Sequence, residues 1–148
     1  MFRSESSICP SSAIARQHLQ IEALVDAVHR RFEERTGVTR NLVSLLNSLA
    51  AHLEAHFELE EENGYFEDLV QRAPRLSEHV DEMLKQHALL LAESRELVKI
   101  ARQAFADDEP SPELTERYEK FRVDLLGHEK AEIDILQEAY TRDLGSKD

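Results

Sequence analysis

The sequence predicts an all-α fold, an antiparallel up-down-up-down four-helix bundle, and three observations carry that expectation. Helix-favouring residues dominate the chain, while glycine and proline number only four each. Three short breaks divide it into four long segments. Each segment carries apolar residues at alternating spacings of three and four, the stripe of a helix that faces a core. Long amphipathic helices joined by short connections pack with their neighbours running in opposite directions.

The breaks fall at Thr36-Gly37-Val38-Thr39, at Pro74, and at Asp107-Asp108-Glu109-Pro110-Ser111-Pro112. They predict helices over about 12–36, 40–72, 75–106 and 112–143, with Gly64 a kink or early end in the second. Ser11 or Ser12 can cap the first helix. Ser111 followed by Pro112 and Glu113 suits the start of the fourth, and Gly145 its end. Residues 1–11 read as a loose arm, 12–144 as the bundle and 145–148 as a tail. The expected core residues are Ile14, Ile21, Val25, Val28 and Phe32, then Leu42, Leu45, Leu46, Leu49 and Leu53. The third helix adds Val80, Met83, Leu84, Leu90, Leu91, Leu97 and Val98, and the fourth Leu114, Tyr118, Phe121, Leu125, Ile135 and Ala139.

A length of 148 residues suits one domain, and 41% hydrophobic with 32% charged residues is a globular composition. A formal net charge of −12 with no basic stripe argues against a nucleic-acid partner, whose phosphates it would repel. Apolar runs stay far below the roughly 20 residues that span a bilayer. The start, MFRSESSICPSS, has no apolar stretch of the kind a secretory signal needs. Cys9 is the single cysteine and cannot form an internal disulfide, so a reducing cytoplasm is the expected setting.

The stripes are interrupted by polar residues. His18 is the second member of the series 14, 18, 21, 25, 28, 32. His56 and Glu60 continue 49, 53, 56, 60; His87 falls within 80, 84, 87, 91; His128 and Glu132 fall within 121, 125, 128, 132, 135. Height along the bundle is a second criterion. His18 lies about 20 residues before the first turn and His56 about 18 after it, a mismatch of roughly 3 Å at 1.5 Å per residue. Glu60 and His87 lie about 14 and 13 residues either side of Pro74. His87 and His128 lie about 22 and 18 residues from the middle of the third loop, within the same slab. His29 is off the stripe and roughly 13 Å too near the first turn, His79 is too close to Pro74, and His52 is placed only for a supporting role.

A single seam histidine is ordinarily a hydrogen-bonded core residue. Two buried glutamates level with four histidines are different, because buried charges need compensation and no arginine or lysine lies on a seam beside them. A cation supplies it. Histidine and carboxylate without thiolate suit iron, manganese or zinc, and six protein donors are too many for one tetrahedral zinc. Two irons, with carboxylates able to bridge them, are the expected content.

The stretches His56-Phe-Glu-Leu-Glu60-Glu61-Glu62, Lys85-Gln-His87 and His128-Glu-Lys-Ala-Glu132 resemble the hemerythrin-like HHE family of cation-binding domains over roughly residues 12–144. The ordered set of His, HxxxE, His and HxxxE at bundle spacing carries the resemblance. It implies a non-haem diiron centre with an oxo or hydroxo bridge, held by His18, His56, Glu60, His87, His128 and Glu132, the two glutamates bridging. Two features depart from the invertebrate oxygen carriers of that family. Met83 and Leu91 stand where a second histidine of the third helix would be, and Ile133 where the carboxylate of the fourth would be. Of about twelve positions on two octahedral irons, about two stay open. Tyr65, Glu61 or His52 is a candidate for a seventh ligand. The resemblance implies binding of O2, NO or peroxide for storage, sensing or protection. Alternatives are a diiron enzyme of catalase-like, peroxidase-like or iron-oxidising type, and a helical adaptor whose histidines are structural.

Overall fold

The computed structural model describes residues 10–34, 37–62 and 64–142. Among these residues the structure is all-helical, with no strand. Helices α1 (Pro10–Glu34), α2 (Arg40–Glu62), α4 (Ser77–Asp107) and α5 (Pro112–Gln137) are long; α3 (Tyr65–Arg72) is short. A 3-10 turn (Pro74–Leu76) precedes α4, and a π-helical turn (Glu138–Arg142) follows α5. The loose arm expected over 1–11, with Cys9, lies outside the described residues up to residue 9, and so does Gly145.

Local chemistry sets the ends. The Ser111 side chain accepts from Leu114 N at 3.2 Å, with Pro112 in the first turn, as the sequence predicts. Thr39 Oγ1 accepts from Leu42 N at 3.1 Å and caps α2. The positions expected to cap α1, Ser11 and Ser12, fall within the helix, which is described from Pro10. The expected second helix of 40–72 is divided. Gly64 adopts φ 69°, a left-handed conformation that glycine reaches without a side-chain clash, and α3 leaves from it. Asp108 closes α4 at φ 54°.

Helix α1 packs on α2, α2 on α4, α4 on α5, and α5 back on α1. Along neighbouring helices, numbers rise on one as they fall on the other. Asn47 meets Arg102, Glu54 meets Arg95 and Glu61 meets His87 between α2 and α4. Glu93 meets Arg117 and Gln86 meets His128 between α4 and α5. The buried Tyr118 hydroxyl donates to the Val25 carbonyl at 2.8 Å and ties α5 to α1.

The apolar interior forms two clusters. The larger runs from Ile21, Val25 and Val28 through Leu42–Phe57, Leu90–Ala101 and Leu114–Leu125. The smaller contains Ile14, Tyr65, Phe66, Leu69, Val80, Met83, Ile135 and Ala139. In sequence, His18, Glu60, His87, His128 and Glu132 fall between the members of one cluster and those of the other. Of the expected core residues Met83 and Leu84, Met83 is buried and Leu84 is 37% exposed. The inner row of α4 therefore runs 80, 83, 87, 90, 94, 97, 101, with 83 and 90 in place of 84 and 91.

Leu53 is fully buried in the larger cluster, whereas Leu89 is 71% exposed. Leu53→Ala should lower unfolding free energy by about 2–5 kcal/mol. Leu89→Ala should change it by less than about 0.5 kcal/mol. Denaturant titrations at equal metal content measure both, and equal losses would contradict the packing.

Candidate metal centre

Each long helix brings polar side chains to the level between the clusters. Their positions follow from helical repeat alone: His56 and Glu60 are one turn apart on α2, as are His128 and Glu132 on α5, so each pair shares a face. His18 comes from α1 and His87 from α4. His56, Glu60, His87, His128 and Glu132 are buried, and the His18 side chain is 13% exposed.

The donors form two overlapping groups whose atoms lie within 4.8 Å of one another, His18–His56–Glu60–Glu132 and His87–His128–Glu132. Glu60 divides its two oxygens between them. Oε2 lies 3.1 Å from His56 Nε2 and 3.9 Å from His18 Nε2, while Oε1 lies 3.1 Å from His87 Nε2. Glu132 Oε1 lies 3.6 Å from His128 Nε2. The ring centroids of His18 and His56 are 4.6 Å apart, and those of His87 and His128 5.0 Å.

The far nitrogens of three rings are engaged from outside. His56 Nδ1 donates to Gln17 Oε1 at 2.9 Å, His87 Nδ1 to Glu61 Oε2 at 2.7 Å, and His128 Nδ1 to Gln86 Oε1 at 2.7 Å. A proton held on Nδ1 leaves the Nε2 lone pair free, the arrangement typical of metal-binding imidazoles. The inner atoms have no such partner. The Nε2 atoms of His18, His56, His87 and His128, and both oxygens of Glu60 and of Glu132, are buried without a hydrogen bond. The contacts near 3.1 Å are close, but they do not have hydrogen-bond geometry. Leaving buried polar atoms unpaired costs on the order of 1–3 kcal/mol each, so the set fits a cation that the lone pairs can all address. Such donors are suited to iron, manganese or zinc.

Electrostatics agree with that fit. Burial, then the neighbouring His56, lowers His18 to about 4 against the opposing pull of Glu60. Burial, then His87, does the same for His128, also to about 4. Both rings are therefore neutral at pH 7 and able to bind a metal. Burial pushes Glu132 up to about 11, reinforced by Glu60. Burial acts upward on Glu60 too, but the approach of His56, His87 and Glu132 outweighs it and holds this carboxylate below its usual range. Without a cation the two carboxyls thus share one proton. A divalent ion displaces it.

The remaining candidates separate clearly. His29 is half-buried at the surface, 3.2 Å from Glu33 Oε2. His79 is exposed. His52 is exposed and donates from Nδ1 to the Ser48 carbonyl at 2.8 Å, so it supports no donor of the centre. Glu61 presents its oxygen to the outer nitrogen of His87. The Tyr65 hydroxyl is buried without a hydrogen-bond partner, and burial, then Glu132 and Glu60, push its ionisation upward. Gln17 and Gln86 escaped the sequence reading. Their only signal in sequence is that each immediately precedes a seam histidine; in the structure each reaches a histidine of the next helix. Glu129 also escaped it. Its carboxyl is buried, and burial, then Glu22 and Glu60, raise it to about 8. One position off the α5 seam, it reads in sequence as an ordinary flanking acid.

Comparison with curated proteins and with solved structures returned no match. Residues 9–140 match the family described as Hemerythrin HHE cation binding domain. That span holds all four long helices and every donor of the centre, so the chain belongs to the hemerythrin HHE cation-binding domain family.

Proposed function

We propose that this is a non-haem diiron protein of hemerythrin-like type that binds O2, NO or peroxide for storage, sensing or protection. In this reading the fold is an antiparallel up-down-up-down four-helix bundle, supported by the cross-helix pairs that run in opposite directions. His18, His56, Glu60, His87, His128 and Glu132 hold two iron ions with an oxo or hydroxo bridge. The observation that carries the reading is the pair of overlapping donor groups, which share Glu132 and take one oxygen each from Glu60. Six donors without thiolate favour two irons over one tetrahedral zinc.

When bound, the irons supply redox and Lewis-acid chemistry toward small oxygen and nitrogen ligands. The chain orients four imidazoles, keeps two carboxylates ionised beside the ions, and screens the site between two apolar clusters. Tyr65 is a candidate seventh ligand, supported by its buried, unpartnered hydroxyl. The same hydroxyl favours a second reading, a diiron enzyme of catalase-like, peroxidase-like or iron-oxidising type, since it can donate a proton beside the site. A cytoplasmic setting and the lack of a nucleic-acid partner belong to the proposal, supported by one cysteine and a net charge of −12. No helix among the described residues is long and apolar enough to cross a membrane.

Protein purified from iron-replete medium should contain about two irons per chain; one tight zinc and no iron would overturn the diiron reading. His18→Ala should reduce iron to one per chain or less and bleach the visible spectrum, while His29→Ala leaves both intact. The reverse would move the centre toward the first loop. Peroxide turnover by the iron-loaded protein separates the enzyme from the binding module.

Metal removal should lower the thermal midpoint by many degrees, because an ion present at about 1,000 times its dissociation constant stabilises by about 4 kcal/mol. An unchanged midpoint after verified removal would mean that these side chains hold no ion in the folded protein.

A further inference from the structure

The two donor groups are supported unequally from behind. We infer, resting on the two-metal reading above, that the His87–His128 position fills first and tightly. The His18–His56 position fills second and exchanges its ion, with Glu61, behind His87, as the positioning residue that sets the difference.

The carboxylates do not make this distinction, since Glu60 offers an oxygen at 3.1 Å to a histidine of each group and Glu132 is shared. The imidazoles do. His87 donates from Nδ1 to an ionised side chain, Glu61, at 2.7 Å. A carboxylate behind an imidazole raises the basicity of the opposite nitrogen, and such partners are commonly worth 10–100-fold in metal affinity. Glu61 is 44% exposed at its side chain, so its influence passes through this direct bond more than through a long-range field. His87 is also fixed by packing, with the Phe57 ring stacked on it at 3.9 Å and Phe66 at 5.7 Å. Its companion His128 is held by Gln86 at 2.7 Å.

The other position has weaker support. His56 is held by the neutral amide of Gln17 at 2.9 Å. Among the described residues none hydrogen-bonds the outer nitrogen of His18, and its side chain is 13% exposed where those of His56, His87 and His128 are 1–2%. A ring that must be ordered on binding binds more weakly. His18 is also the donor nearest solvent, through which an ion can leave.

The test is an anaerobic titration of the full-length apoprotein with cobalt(II), followed by calorimetry and by the visible bands of the bound ion. Two steps by themselves would follow from repulsion between the ions, so the decisive result is which step each variant moves. Glu61→Gln should weaken the first step about 10-fold and leave the second within a few-fold. Gln17→Glu should tighten the second step about 10-fold, a gain that damage to the fold cannot imitate. His18→Ala should keep the first ion and lose the second. Glu61→Gln weakening only the second step, or Gln17→Glu leaving the second unchanged, would overturn the inference while two ions still bind. Uptake of a single ion by the unaltered protein would overturn the two-metal reading itself.

Discussion

Glu60 and Glu132 bring two carboxyl groups within reach of each other inside a protein interior, and most of what surrounds them answers to that constraint. Transfer of one ionised carboxylate out of water costs several kcal/mol even after relaxation, and a second beside it costs more. Among the described residues no lysine or arginine lies within ion-pair distance of either. The nearest groups are imidazoles, and burial lowers two of these, His18 and His128, to about 4. Neutral donors solvate charge without neutralising it. The shortfall is met by a proton shared between the two carboxyls or by an ion from outside, and those two occupants compete for the same oxygens.

That competition explains the layering around the site. The innermost atoms are lone pairs; the next shell is amide and carboxylate from Gln17, Glu61 and Gln86; beyond it lie aromatic and aliphatic side chains. Each outer partner sits beside a donor of its own helix and serves a donor of the neighbouring one. Gln17 adjoins His18 and holds His56, Glu61 adjoins Glu60 and holds His87, and Gln86 adjoins His87 and holds His128. Rotation of α1, α2 or α4 about its axis would therefore disturb two rings together.

The convergence of the six side chains was legible in the sequence because a helix is stiff. A repeat of 3.6 residues fixes the face, a rise of 1.5 Å fixes the height, and a short turn fixes the offset between neighbours. What depended on finer rotation was not. Met83 and Leu84 sit about 100° apart on α4, and the row through Leu84 matched the apolar pattern as well as the row through Met83 that is buried. Glutamines on a helix flank carry no periodic signal, so their reach across a seam shows only once the helices are placed. The division at Gly64 lay between two readings, kink or end, that differ by one backbone conformation. The π-helical turn at Glu138–Arg142 had no signal in the pattern; there the Tyr140 hydroxyl meets Asp68 at 3.1 Å and Arg72 lies over its ring, docking the turn on α3.

The polar level between the two apolar clusters makes this a molecule with two hydrophobic nuclei and one fastening. The smaller nucleus gathers α3, the π-helical turn and the ends of α1, α4 and α5, and it buries fewer large side chains than the larger. Segments with fewer buried apolar groups open at lower free energy, in cooperative units. With an ion bound across the level, the four helices are pinned together at its middle and the smaller nucleus shares the stability of the larger. With a proton there instead, that pin is lost, and contacts such as those of Phe57 and Phe66 with His87 are left to join them. Amide exchange would then run faster in α3 than in the first half of α2, so the metal content of the chain would be written in the relative protection of its two ends.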